Sequence, residues 1–266
     1  MNFSRYAILK IFLKEELVTI ENLRITFNIK KTREAEQNEA KIKVYNLSKT
    51  SQSKIKDEGS HVELYAGYED DVALIFKGDI RTIYHKREEE NVVTTLESGD
   101  GDNALVKSTV NVTLKGELTL KAYLKQLVER LEEIKLGRVV GVDDLVGNRT
   151  ATTFVGHVRD ELDRLAIKYD FSYTIENHII DIVRNASHTG LSEIVSVETG
   201  MLETATVRED GYIEVKTLLN NNFKCNDLFR LESEFLKRDF RIDTLDFVGD
   251  THGDEWVSIL GGVSLE

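Results

Sequence analysis

Residues 22–98 place an apolar side chain at nearly every second position. Leu23, Ile25, Phe27 and Ile29 alternate with polar neighbours, as do Ala40, Ile42 and Val44, and then Val62, Leu64, Ala66 and Tyr68. A period of two fits a strand with one buried face and excludes a helix over the same stretch. The stretches Val72–Gly78, Asp79–Lys86 and Val92–Ser98 extend the series as further short strands. Turns are expected at Glu69–Asp71 and in the charged run around Lys86–Glu90, which reads as solvated. The polar stretch from Thr32 to Glu39 reads as a loop. Short strands at this spacing predict an antiparallel sandwich or barrel. The chain contains no proline, so its turns must rest on Gly, Asn and Asp.

The period then changes. Leu120, Tyr123, Leu124, Leu127, Leu131 and Ile134 fall at helical spacing, predicting a helix within 118–136 with Thr119 as its N-cap. A second helix is expected over 155–170, with Val158, Leu162, Leu165 and Ala166 on one stripe and Thr152 or Thr153 before it. Residues 171–183 read as a hairpin turning at Glu176–His178. From residue 191 the pattern returns to β. Gly211–Ser233 reads as a hairpin around Asn220–Asn222, and Phe240–Val248 with Glu255–Val263 as another, joined by Gly249–Asp254. The fold class expected is α+β, mainly β, in three parts: 1–105 (β), 106–190 (two helices and a hairpin) and 191–266 (β). The same order admits one β body with an inserted α/β unit.

The 35 basic and 47 acidic residues give a net charge of −12, the opposite of what phosphate-gripping proteins carry. The single cysteine, Cys225, allows no intrachain disulfide and suits a reducing cytoplasm. No apolar run approaches the ~20 residues of a membrane-spanning helix. Lys10 and Lys14 break the apolar N-terminal stretch, so no signal peptide is expected.

Few residues suggest chemistry. Gly249–Gly253 follows a strand, and its Asp250 and His252 resemble the first metal-binding motif of calcineurin-like metallophosphoesterases. Only a short segment without further His or Asn follows, so the expectation is a polar turn. Gly99–Ala104 fits a loose G-x-G-x-x-A pattern, but Asp100 and Asp102 would repel a pyrophosphate, and a loop at a domain boundary is expected. The histidines at 61, 85, 157, 178, 188 and 252 show no metal-ligand spacing, and Cys225 has no histidine near it in sequence. No catalytic, cofactor-binding or metal-ligating residue is assigned.

The C-terminal pattern carries more. Thr199–Gly200, Leu218–Asn220, Asp227–Leu228 and Gly249–Trp256 stand in an order that resembles the baseplate hub proteins of contractile-tailed bacteriophages. Looser agreement at 40–48, 62–80 and 161–182 extends the resemblance over most of the chain. The resemblance implies tail-tube-like β-barrel domains and a non-enzymatic virion protein without cofactors, assembled in the host cytoplasm. It also implies a ring, typically a trimer, that adapts a sixfold tail tube to a threefold spike. The partners implied are further copies, tail tube protein, spike protein, tape-measure protein and other baseplate subunits. DNA would pass without specific binding, and an acidic lumen wall would repel it. Cys225 and Asn226 replace a more usual glycine-containing turn, which Asn tolerates. The alternative is a metal-dependent phosphoesterase or tail-associated hydrolase using Asp250 and His252.

Overall fold

The computed structural model describes residues 4–14, 16–34, 37–55, 60–101, 108–114, 118–131, 133–143, 145–148 and 152–265. The N-terminal third holds β1 (Arg5–Phe12), β2 (Leu17–Ile20), β3 (Ile25–Thr32), β4 (Glu39–Tyr45), α1 (Lys49–Lys54), β5 (His61–Tyr68), β6 (Asp71–Glu88) and β7 (Asn91–Gly99). Then come β8 (Thr109–Leu114), β9 (Leu118–Thr119), α2 (Leu120–Val128), β10 (Lys135–Val140), β11 (Val146–Asn148), β12 (Thr152–His157), α3 (Val158–Tyr169), β13 (Phe171–Glu176) and β14 (Ile179–Arg184). The chain closes with β15 (Leu191–Ser196), β16 (Thr206–Val207), β17 (Tyr212–Leu218), β18 (Leu228–Glu232), β19 (Lys237–Asp250) and β20 (Trp256–Val263).

The protein is α+β and mainly β. One 13-stranded sheet runs β16-β17-β20-β19-β3-β4-β7-β6-β5-β1-β2, with β18 and then β15 attached beside β19. Its pairings are antiparallel except β15–β18. The alternation read in the sequence is the alternation buried: Ile25, Phe27 and Ile29 face inward and pair across β4 with Val44, Ile42 and Ala40. One cluster takes apolar side chains from strands near both ends of the chain, including Leu9, Leu64, Val215 and Leu260. Burying each such side chain stabilises by ~1.5–3 kcal/mol. A second cluster forms under α2 and α3, where Tyr123, Leu124, Leu162 and Leu165 meet Ile180 and Ile182 of a three-stranded sheet, β10-β14-β13.

Val72–Gly78 and Asp79–Lys86 are not two strands. They form one 18-residue strand, β6, whose first half pairs with β5 and whose second half pairs with β7. Gly78 is a close approach rather than a turn: a Cβ there would sit 2.6 Å from the Gly99 carbonyl oxygen.

The two helices are shorter than expected. Thr119 caps α2 as predicted, its hydroxyl accepting from the Ala122 N–H at 3.2 Å. Yet α2 ends at Val128, because the chain reverses at Glu133 (φ +64°) and Lys135–Val140 joins β14 in parallel. Leu131 and Ile134 are buried outside the helix. The second helix begins at Val158, not near 155. Thr152 to His157 pair with β8 instead, and His157 holds the N-cap position without a side-chain bond.

The largest correction concerns Gly211–Ser233. Its two strands exist, but β17 pairs with β16 and β20, while β18 pairs with β15 and β19. The link between them is a packed crossing in which Leu219, Phe223 and Cys225 are buried. That apolar content takes the chain through the core rather than around a solvated turn. The hairpins predicted at 171–183 and 240–263 do form, spanning 171–184 and 237–263, the former turning through Asn177 and His178, both at positive φ. Asp102, Asn103 and Ala104 of the glycine-rich stretch, and the expected boundary at 105–106, lie outside the described residues.

Candidate functional site

The Gly249–Gly253 turn joins β19 to β20 and is clasped by the N-terminal strands. Asp250 accepts from Arg24 Nε at 3.1 Å and Nη2 at 2.6 Å, and from the His252 N–H at 2.9 Å. Partial burial works against ionisation of Asp250, but the Arg24 guanidinium and the turn N–H groups outweigh it and hold the carboxyl below its usual range. Thr251 Oγ1 accepts from the Ile25 N–H at 3.0 Å and lies 3.0 Å from His252 Nδ1. Arg5 of β1 donates to the Gly253 and Asp254 carbonyls. Both Asp250 oxygens are thus engaged, and a cation there would have to displace Arg24. Gly249 is required because the Phe27 ring lies over it; a Cβ would meet the ring at 2.3 Å.

The other concentration of charge is the seam where the β13–β14 hairpin meets the β body. Lys31, in register behind Ile29, is 3% exposed and forms an ion pair with Glu176. Arg33 donates to Asn226 Oδ1 (3.1 Å), Ser172 Oγ (2.9 Å) and Asn185 Oδ1 (3.0 Å). Arg138 of β10 bridges Asp181 Oδ2 at 2.9 Å and Asp227 Oδ1 at 2.7 Å. Arg241 is 4% exposed, bonds Asp243 at 2.7 Å and donates to the Asn185 carbonyl. Buried ions need such partners, since each would otherwise lose several kcal/mol of hydration. Asp100, 1% exposed at the end of β7, accepts from the Asn177 and His178 N–H groups. Burial pushes its carboxyl up to about 8 against those two bonds and Lys31. A cleft of about 360 Å³ opens beside this seam, between Ala73–Ile75, Arg138 and Asn221–Asn222.

The residues singled out in the sequence are scattered. His85 Nδ1 bonds Thr94 Oγ1 at 2.9 Å, His61 stacks on Phe12, and His157 precedes α3. Cys225 is buried and its thiol is pushed up by that burial, so it stays protonated. Among the described residues, no three His, Cys, Asp or Glu side chains group as metal ligands. Sequence reasoning missed the seam. Lys31 was legible, because period two places it inward. Arg33, Arg138 and Arg241 were not, because their partners lie far along the chain.

Comparison with known proteins settles what this arrangement belongs to. Residues 8–261 match the family described as Baseplate hub gp41. The chain is a member of that family. Its hub fold spans the β strands of both ends and the α/β unit between them, and its role is structural, in the baseplate of a phage tail. Solved structures share the hub fold at low identity. The 43 kDa tail protein of prophage MuSo2 from Shewanella oneidensis aligns with TM-score 0.67 and 13% identity, covering 98% of this chain and 97% of that one. The tail protein of Neisseria meningitidis MC58 aligns with TM-score 0.66 and 9% identity, covering 98% and 96%. The E. coli c3393 protein, a type VI secretion component, aligns with TM-score 0.63 and 8% identity, covering 96% and 76%. No curated protein matches the chain.

Proposed function

We propose that this hub protein is a non-enzymatic subunit that assembles as a homotrimer into a ring between a sixfold tail tube and a threefold spike, lining the DNA conduit. In this reading, residues 1–105 and 191–266 supply two tube-like β parts per subunit, so three subunits present six, and 106–190 is the α/β unit between them. The partners are further copies, tail tube protein, spike protein, tape-measure protein and other baseplate subunits, and assembly takes place in the host cytoplasm.

One observation carries the ring. Among the described residues β15 pairs with β18 alone, so no strand covers its other edge, although the Thr199 hydroxyl caps part of the strand by accepting from the Ser196 N–H at 2.8 Å and donating to the Ile194 carbonyl at 2.7 Å. Exposed apolar residues lie on that strand and directly after it: Ile194 and Val197. An open strand edge with apolar flanks is a template for association with another chain. The likeness to c3393, described as similar to bacteriophage T4 tail proteins gp27 and gp5, supports a spike-side partner. The acidic balance supports a lumen that repels DNA, with much of the −12 facing inward; a basic lumen in an assembled ring would contradict that part.

Light scattering across a concentration series tests the assembly. A trimer is expected, and Ile194→Asp with Val197→Asp shifts it to monomer while leaving the circular dichroism spectrum unchanged. A protein that stays monomeric at every concentration, with tube and spike proteins present, refutes the ring. Asp250→Ala tests the non-enzymatic reading: altered stability without loss of any metal-dependent phosphoesterase activity is expected.

A further inference from the structure

β6 is covered along only half its length on one side. Asp71–Asp79 pairs with β5 and Asp79–Glu88 with β7, so among the described residues no strand lies on the β7 side of residues 71–78. Beyond the pairing with β5, one hydrogen bond reaches this backbone among the described residues: the Asp71 carbonyl accepts from Asn221 Nδ2 at 3.1 Å. The cleft of about 360 Å³ beside the seam runs along this edge. Ala73 and Leu74, consecutive in the strand, both line it, with Ile75. Successive side chains of a strand point to opposite faces, so a cleft that touches consecutive residues follows the edge and not a face. Its opposite wall is the buried crossing, through Asn221, Asn222 and Lys224. A second cleft, of about 330 Å³, shares Arg138, Glu176 and Lys224 with the first and carries the groove on to Gly137 and Ile179.

The charges lining the first cleft do not balance. Lys31 is paired with Glu176, and Arg138 with Asp227 and with Asp181 of β14. Asp227 also accepts from Thr189 Oγ1. Lys224 is exposed, makes no hydrogen bond or ion pair among the described residues, and acts on Asp227 only through space. The lining thus holds three cations, Lys31, Arg138 and Lys224, against two carboxylates, Glu176 and Asp227, in a chain whose net charge is −12. An uncovered strand edge offers backbone donors and acceptors to an extended chain. A surplus ammonium group beside it favours a chain that carries negative charge.

We propose that this groove binds an extended, acidic peptide segment of a partner protein, added as a strand to β6 between Val72 and Lys77, with a carboxylate of the segment on Lys224. Backbone hydrogen bonds to β6 supply the grip, and Lys224 supplies the preference for acid. The cleft admits a few residues of extended chain and excludes a helix, which is ~10–12 Å across with its side chains. β6, the crossing and the α/β unit of a single subunit build the whole groove, so binding does not require the ring.

Hydrogen–deuterium exchange of the full chain tests this with the probe acetyl-Thr-Glu-Val-Glu-Thr-amide. At a peptide concentration equal to its Kd, exchange across 72–77 should slow about twofold, and further as the peptide is raised, while β19–β20 is unchanged. Lys224→Glu, a change at an exposed position, should weaken binding by about five- to tenfold. The same peptide N-methylated at alternate amides keeps its charge but cannot pair along a strand, and it should give no protection. A probe with lysine in place of glutamate should also give none. No protection at about 10 mM acidic peptide overturns the proposal, as does equal protection by the N-methylated or lysine probe. Protection by a thymidine hexanucleotide in place of the peptide, or protection that grows with protein concentration alone, overturns the assigned occupant in favour of nucleic acid or of a second copy.

Discussion

Single side chains hold the two ends of this chain together. Asp250 and Arg24 form a two-point ion pair whose arginine is 42% exposed, so solvent screening limits its worth. Asp250→Ala also frees the His252 N–H, and a loss of ~1–2 kcal/mol in urea unfolding is expected. Because the folded carboxyl sits below its usual range, the contribution is present above about pH 4 and is lost as pH falls through the folded value. Asp100 behaves oppositely. Its carboxyl is raised to about 8, so its stabilisation is present at lower pH and lost as pH rises through about 8. The wild type should lose up to ~1.4 kcal/mol per pH unit between about pH 4 and pH 8, and Asp100→Asn, which mimics the protonated acid, should remove that slope. At this scale the sequence was partly legible. Thr119 could be read as a cap and Lys31 as an inward residue from spacing alone. The arginines of the seam could not, because a guanidinium in a strand looks solvent-facing until its carboxylates, far away in sequence, are placed.

Elements were easier to read than their partners. Periodicity located the strands because burial on one face imposes it, and it placed most of the core: Ile25, Ile42, Leu64 and Phe247 are all buried. It could not say which strand lies beside which. The assumption that consecutive strands pair held for β13–β14 and β19–β20 and failed for β17 and β18, where a buried crossing replaces the turn. Phe223 anchors that crossing at 2% exposure. Phe223→Ala should therefore cost ~3–5 kcal/mol by chemical denaturation, far more than truncation at a solvated turn would. Asn226, at φ +69° and bonded to Arg33 through Oδ1, should be the second sensitive point of the crossing. Asn226→Ala is expected to cost ~1–3 kcal/mol, combining backbone strain with a lost buried acceptor.

The molecule as a whole is closed by one pairing, β3 with β19, which spans Thr32 to Thr244 and brings strands from the first and last parts into a single sheet. Nothing local in the sequence announces it; two strands with matching inner rows are necessary for such a pairing but do not specify it. Its consequence lies in time rather than in shape. Thr244 follows Thr32 by 244 − 32 = 212 residues. At ~5–20 residues per second, a nascent β3 waits roughly 10–40 s before its partner has been made. During that interval one edge of β3 is unpaired and open to misassociation. The wait is set by topology alone, because the chain has no proline and so none of the slow X-Pro isomerisations that delay many refolding proteins. Refolding from urea should accordingly show no phase that a prolyl isomerase accelerates, and its slowest step should respond to changes in β3 or β19. Synthesis at limiting chaperone should give aggregates in proportion to how long those two strands are kept apart.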